Sequence, residues 1–299
     1  VAVVTILNEE FAAVRSQLPA PYEIGTSSVY APGPPDDPED PVFPYVVVQA
    51  RDRSNTPMAQ DIRRWVSELR PEIFIVSGIA GGIQRAREGD AASFKGLGPG
   101  DIAIANYIHY GAYAKYVPSG RLQRYFPIDH PAADLVEHCQ AVDREPDEWM
   151  ARIGVDRPGA GHPQVEVGEF VALEGVASDP SHQAQREYVH HFDNAIAIDM
   201  ESMGVGRALH DLRDTVHYNP RWACVRGISD AVRALAPETQ EEPAAAEAAE
   251  HSNNAERQQW KPYAAEVAAA FTRQLVARIL SEPRQGRSAD PDFPSWELS

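Results

Sequence analysis

The sequence predicts an α/β fold in which a central sheet carries helices on both faces. Two observations support this. Short unbroken apolar runs recur along the chain, as in Tyr45–Ala50 (YVVVQA), and segments with helical spacing lie between them. Strands buried on both faces read as continuous apolar runs, not as alternating ones. The third run, Ile73–Val76, leads into Gly78-Ile79-Ala80-Gly81-Gly82, which reads as a Gly-rich turn at a strand end.

In chain order, Val1–Leu7 reads as a buried strand and Glu9–Leu18 as a helix. Tyr45–Ala50 is the second strand, Met58–Leu69 has helical spacing, and Ile73–Val76 is the third strand. A fourth opens at Gly100-Asp101-Ile102-Ala103-Ile104-Ala105. Further on, Ala195–Ile198 and Trp222–Arg226 are strands, with a helix over Glu201–Leu209 between them. The last helix is expected over Pro262–Leu280, with Phe271, Leu275 and Ile279 on one face. Pro262 is tolerated in a first turn, where a residue has no intrahelical N–H bond to lose.

Ala31–Pro44 is rich in Pro and Asp and is expected to be a loop. Ala91–Gly98 is also expected to be a loop. Pro237–Gln259 is acidic and Ala-rich, and reads as a lid or a helix over the site. Ser281–Ser299 reads as a polar tail or linker. With no internal repeat, one domain over residues 1–280 is the expectation.

Composition narrows the function classes. The chain of 299 residues is 43% hydrophobic and 24% charged, the range of ordinary globular proteins. No run approaches the roughly 18 apolar residues of a membrane-spanning helix. Val1–Leu7 lacks the basic flank and cleavage site of a signal peptide. A start at Val1 suits a processed chain or a piece of a longer one. The net charge of −17 repels a phosphate backbone and argues against nucleic-acid binding. Two cysteines, Cys139 and Cys224, form no disulfide framework and no zinc spacing, so no metal or cofactor is expected. Cys224 lies in an apolar run and is expected to be a buried, inert thiol. The cytoplasm is the expected location.

Four segments carry the chemistry: Ile6-Leu7-Asn8-Glu9-Glu10-Phe11, the Gly78–Gly82 stretch, Ala197-Ile198-Asp199-Met200-Glu201-Ser202, and Val225-Arg226-Gly227-Ile228-Ser229-Asp230. Each falls where a strand gives way to a loop or helix, the edge at which open α/β sheets bind ligands. Taken singly they have simpler explanations. Ser229-Asp230 suits a helix cap. Glu10 and Glu201 suit first-turn carboxylates near a helix dipole, Met200 suits a core, and the glycines suit a tight turn.

As an ordered set, however, the four resemble the purine and uridine phosphorylases and the methylthioadenosine/adenosylhomocysteine nucleosidases. Asp-Met-Glu-Ser and Arg-Gly-Ile-Ser-Asp are the strongest parts, and Trp260-Lys261-Pro262-Tyr263-Ala264-Ala265 resembles the start of that family's closing helix. The resemblance runs from Val1 to about Leu280. It implies a twisted, partly barrel-like mixed central sheet surrounded by helices, with a cleft for one nucleoside and subunits that pair into a homo-oligomer. It assigns Asp230 as the acid that protonates or hydrogen-bonds the departing purine, with Ser229 beside it. It assigns Glu201 to the ribose hydroxyls, Met200 to the sugar face, Glu10 to the attacking water, and Gly78, Ala80 and Gly81 to close backbone approach. Glycosidic cleavage through an oxocarbenium-like state calls for an acid, a positioned nucleophile and a held sugar.

Phosphorylases of this kind carry an Arg in the N-terminal glycine loop and another before the Gly-rich turn. Here Thr5–Glu10 has neither Gly nor Arg, and Ile75-Val76-Ser77-Gly78 has no Arg. Planar Arg forks suit phosphate, so water is the expected nucleophile and an N-ribosyl hydrolase the expected enzyme. The alternatives are a phosphate-dependent phosphorylase and a non-catalytic nucleotide sensor. Val176 falls near the position where nucleosidases place an aromatic on the base, yet Gly175–Ser181 contains none. That departure weakens any expectation of methylthioadenosine, and leaves a purine nucleoside or nucleotide as the small-molecule partner. Arg51, Arg53, Arg85, Arg87 and Lys95 flank the predicted cleft edge; solvated cations are the simpler reading, and phosphate reception the alternative. Domains of this appearance also occur as modules of larger signalling or defence proteins.

Overall fold

A computed structural model describes residues 1–25, 28–35, 42–87, 90–118, 120–175, 188–213, 219–234 and 243–282. Val176 and the tail beyond residue 282 lie outside the described residues. The elements, in order, are β1 (Ala2–Thr5), α1 (Asn8–Gln17), β2 (Tyr22–Glu23), β3 (Val29–Ala31), β4 (Val46–Gln49), α2 (Asn55–Leu69), β5 (Ile73–Arg87), β6 (Asp90–Gly96), β7 (Ile102–Tyr110), β8 (Ala114–Val117) and β9 (Gly120–Gln123). They continue with α3 (Ala133–Asp143), α4 (Pro146–Met150), β10 (Val165–Ala172), β11 (Ala195–Asp199), α5 (Ser202–Leu212), β12 (Arg221–Ala234) and α6 (Pro243–Ser281).

Five strands close on themselves. β5 pairs with β12, β12 with β7, β7 with β10, β10 with β11, and β11 returns to β5. The β11–β5 and β12–β7 contacts are antiparallel and the other three parallel, which gives a mixed barrel. From β5 the sheet also extends outward through β1 and β4, both parallel, to β3 and β2.

Both faces are covered. Phe74 and Val76 of β5 pack with Met58, Ile62, Trp65, Val205 and Leu209 from α2 and α5. Their neighbours Ile73 and Ile75 face the other way, with Val14, Leu135, Trp149 and Phe271 from α1, α3, α4 and α6. Successive side chains of a strand point to opposite faces, so an unbroken apolar run supplies two cores at once. Each fully buried large side chain here contributes about 1.5–3 kcal/mol relative to exposure.

Three expectations are corrected, and one of the simpler alternatives, a helix cap at Ser229-Asp230, is removed. The Gly78–Gly82 stretch is no turn; it lies inside β5, which runs on to Arg87. A Cβ on Gly82 would stand 2.7 Å from the Leu97 carbonyl oxygen, so the missing side chain lets the strand pass close to another backbone as the barrel closes. Ala91–Gly98 is largely strand, because β6 folds back on β5. Ser229-Asp230 caps no helix, since β12 continues to Ala234. Finally, Pro262 lies inside a helix that begins at Pro243. The N-terminal half of α6 is tied to β12, with Glu256 accepting the Ala231 N–H at 3.0 Å, and this anchors the turns that precede the proline.

Helix and sheet approach closely at Gly227, where a Cβ would lie 1.9 Å from the Ala264 carbonyl oxygen of α6. Backbone cannot swing aside as a side chain can. Gly227→Ala should therefore cost at least about 1–3 kcal/mol, the usual penalty of overpacking, measured as a lowered urea midpoint. Gly175→Ala meets nothing within 4 Å and should stay within about 0.5 kcal/mol. Equal midpoints for the two variants would refute this packing account.

Candidate active site

A cavity of about 300 Å³ opens beyond the carboxyl ends of β1 and β11 and against the middle of β5 and β12, lined among others by Glu10, Ala80, Gly81, Met200, Glu201, Ser229 and Asp230. Each polar group is positioned by a different element. Glu10 is the third residue of α1, and its side chain folds back over the start of that helix. Its Oε2 accepts the N–H groups of Ile6 (2.9 Å) and Leu7 (2.8 Å), as a carboxylate at that position does in half of a capping box. Its Oε1 accepts the Ile79 N–H at 2.8 Å, which ties α1 to β5. Burial pushes the Glu10 carboxyl above the usual range, against the pull of Arg226 and these three amides.

At the centre stands Arg226, on β12 and fully buried. Its Nη2 donates to Asp199 Oδ2 at 2.7 Å and reaches Glu201 Oε2 at 3.3 Å. Nε and Nη1 have no hydrogen-bond partner among the described residues. Asp199 is also fixed locally, accepting the Ser202 hydroxyl at 2.6 Å. Glu201 accepts the Ser54 N–H at 3.3 Å. Burial raises the Glu201 carboxyl to about 7; Arg226 opposes this, while Asp199 and Glu10 add to it.

Gly78 is explained by this cluster. A Cβ there would fall 2.5 Å from Arg226 Nη1 and 2.6 Å from Glu10 Oε1. The residue does not line the cavity; it makes room for the two groups that meet behind the wall.

Also in the lining, Asp230 is set by a strand irregularity. Ile228 pairs with Ala80 and Asp230 with Gly81, so Ser229 is the extra residue of a β-bulge. Bulges re-aim side chains. Asp230 takes the Ser229 hydroxyl on Oδ1 at 2.5 Å, and a fork from Arg257 of α6, Nε and Nη2 each at 2.9 Å. Asn254, Gln258 and Lys261 of the same helix join the lining, so α6 roofs the cavity.

This topology and cleft have counterparts among known proteins. A family model described as the phosphorylase superfamily matches residues 46–277. The chain belongs to the phosphorylase superfamily. No curated protein matches the sequence. Among solved structures, a 5'-methylthioadenosine/S-adenosylhomocysteine nucleosidase from Neisseria meningitidis, in complex with methylthio-immucillin-A, is 17% identical, with a TM-score of 0.59 over 93% of this chain and 98% of that one. An S-adenosylhomocysteine nucleosidase from Streptococcus pyogenes, in complex with 5-methylthiotubericidin, is 14% identical, with a TM-score of 0.61 over 93% and 96%. The futalosine hydrolase of Helicobacter pylori is 12% identical, with a TM-score of 0.61 over 93% and 97%. At these identities the likeness is one of fold.

Of the residues singled out from sequence, the fold brings Glu10, Ala80, Gly81, Met200, Glu201, Ser229 and Asp230 to one cavity. Glu9, the neighbour of Glu10, points outward to Lys261 at 2.8 Å. Of the five flanking cations, only Arg53 lines the cavity. Arg51 pairs with Asp61 at 2.8 Å, and Arg85 donates to the Ala195 and Phe192 carbonyls, both at 2.8 Å. The sequence reading missed Asp199, Arg226, Arg257 and the Ser54 amide as members of the site. Arg226 had a legible signal, a guanidinium in the middle of an apolar strand. Arg257 had none, because only packing brings α6 over β12.

The raised Glu201 carboxyl sets a pH dependence of stability. A carboxyl held near 7 when folded, against 4.5 as its ordinary value, keeps its proton in the native state while the unfolded chain releases it. Its ionisation then costs native-state stability progressively as pH rises from about 4.5 to 7, and the full cost applies above that window. Glu201→Gln removes the titration. The variant should gain thermal stability relative to the unmodified protein at about pH 8, with the difference shrinking towards about pH 5. A gain that does not vary with pH would contradict this.

Proposed function

We propose that the chain is an N-ribosyl hydrolase that cleaves the glycosidic bond of a purine nucleoside or adenine nucleotide by attack of water. The observation that carries this reading is one cavity lined by Glu10, Glu201 and Asp230, with the fully buried Arg226 behind Glu10 and Glu201. A nucleoside bound there has a water-orienting carboxylate and a leaving-group partner within one site.

In this mechanism Glu201 accepts bonds from the ribose hydroxyls, and Met200 packs on the sugar. Glu10 keeps Oε1 towards Ile79 and orients the water. Asp230 protonates or hydrogen-bonds the purine as the bond breaks, and the purine shares or replaces the Arg257 fork. A cavity of about 300 Å³ is at the small end of ligand sites and suits one nucleoside.

Phosphate fits poorly as the nucleophile. Arg226, the cation that pulls on Glu10, already serves Asp199 and Glu201, and Arg257 and Lys261 of the lining are paired with Asp230 and Glu9. A phosphate dianion there would face three carboxylates. The purine preference is supported by structural neighbours from Borrelia burgdorferi and Colwellia psychrerythraea that are bound to adenine. For its location we favour the cytoplasm, with Cys139 and Cys224 both free and buried, and we expect subunits to pair as the family resemblance implies.

Two experiments test this. With adenosine and AMP in water labelled with heavy oxygen, the label should enter the released sugar, and added phosphate should not raise the rate. Glu10→Gln should slow base release with little change in substrate binding, while Glu9→Gln stays mild. Ribose 1-phosphate in the products would make the enzyme a phosphorylase; no product from any purine nucleoside or nucleotide would favour a sensor.

Asp230→Asn tests the leaving-group role separately. It should fold normally and lose about 10²–10⁴-fold in turnover, because an amide supplies neither the proton nor the anionic acceptor. Near-normal turnover in the folded variant would remove Asp230 from the mechanism.

A further inference from the structure

Ser54 has a backbone that its residue type rarely adopts. With φ 86° and ψ 160°, it occupies a region that is almost exclusively glycine's. It stands at the N-cap of α2, where a serine hydroxyl ordinarily accepts an amide of the first turn. That bond is absent in α2. The hydroxyl instead turns outward and donates to Glu174 Oε2 at 2.5 Å, while the main-chain N–H turns inward to Glu201 Oε1.

The residues on either side hold this turn in place. Before it, Arg51 donates its N–H to the buried Asp61 at 2.8 Å. After it, buried Asn55 donates to the Leu173 carbonyl and to Glu174 Oε1, both at 3.0 Å, and accepts the Gly204 N–H at 3.0 Å. Glu174 also takes the Tyr110 hydroxyl at 2.9 Å. A strained residue persists when its surroundings over-determine it, and such strain clusters where a group must be aimed.

We infer that Glu174 and Ser54 form a positioning strut for Glu201: the exposed Glu174 anchors the Ser54 hydroxyl, and the strained turn aims the Ser54 amide at the carboxylate oxygen. Glu201 is thus held between two donors, Arg226 on Oε2 and Ser54 on Oε1. Its remaining lone pairs are directed by these two bonds. The inference rests on the reading of Glu201 as the carboxylate that accepts the sugar hydroxyls. It assigns ribose discrimination in part to residues that do not touch the sugar.

The strut makes an unusual prediction, because relieving it separates stability from function. Ser54→Gly relieves the strain and removes the hydroxyl anchor, so the turn is free to relax and its amide is no longer held at Glu201. The variant should unfold at a higher temperature than the unmodified protein. Its kcat/KM on a ribonucleoside should nevertheless fall about tenfold, the scale of one hydrogen bond to a charged group, and the ratio of ribo- to 2'-deoxyribonucleoside turnover should fall with it. Loss of the amide donor disfavours the ionised carboxylate, so the acid limb of the pH profile should move to higher pH. Glu174→Ala should repeat the kinetic changes without the gain in stability.

Carbon NMR of labelled Glu201 provides a readout that needs no turnover: its titration midpoint should rise in both variants. An unmoved midpoint together with an unchanged sugar ratio would overturn the strut. If the unmodified protein turns over no nucleoside, the hydrolase reading fails, and the Glu201 midpoint in the variants still decides the inference.

Discussion

The site depends on one guanidinium buried among carboxylates. Arg226 is inaccessible to solvent, its partner Asp199 at 2.7 Å is buried at the cavity wall, and Glu201 and Glu10 crowd the same space. Taking such charges out of water costs several kcal/mol per ion, and the attraction between them offsets that only with close geometry and added hydrogen bonds. Ser202 supplies such a bond to Asp199, Ser54 to Glu201, and three main-chain amides to Glu10. Around this centre the neighbouring positions are narrowly constrained. Gly78 must lack a side chain, β12 must present the arginine inward, and α1 must begin where its third residue reaches β5.

The carboxylates outnumber the cation, and that imbalance is itself useful. With Arg226 shared, one acid is left poorly compensated, and burial raises Glu201 into the neutral range. A protonation state that changes near the working pH is a common property of functional sites. It also means that the native state carries an electrostatic cost above neutrality.

Barrel closure and helix packing place the remaining groups. The bulge at Ser229 turns Asp230 into the cavity, and α6, held against β12 by Glu256 and Arg257, forms the roof. The same helix packs at its C-terminal end into the core through Phe271 and Leu275, so one continuous element couples the cavity roof to the hydrophobic interior.

The sequence by itself determined the alternation of strand and helix, because unbroken apolar runs leave little choice but a sheet covered on both faces. It also indicated the carboxylates beside buried strands, through the ordered motifs that resemble a known family. Glu10, Glu201 and Asp230 were legible on those grounds. Other features depended on contacts remote in sequence. Whether the Gly78–Gly82 stretch turns or continues is decided by the approach of the Leu97 backbone and by pairing with β11 and β12. Whether Pro262 starts a helix or sits within one is decided by what anchors the turns before it. Arg257 reaches Asp230 across 27 residues, and the Ser54 amide reaches Glu201 across 147. Local propensity carries no information about such pairs; only the tertiary structure, by bringing α6 and the start of α2 to the cavity, decides them.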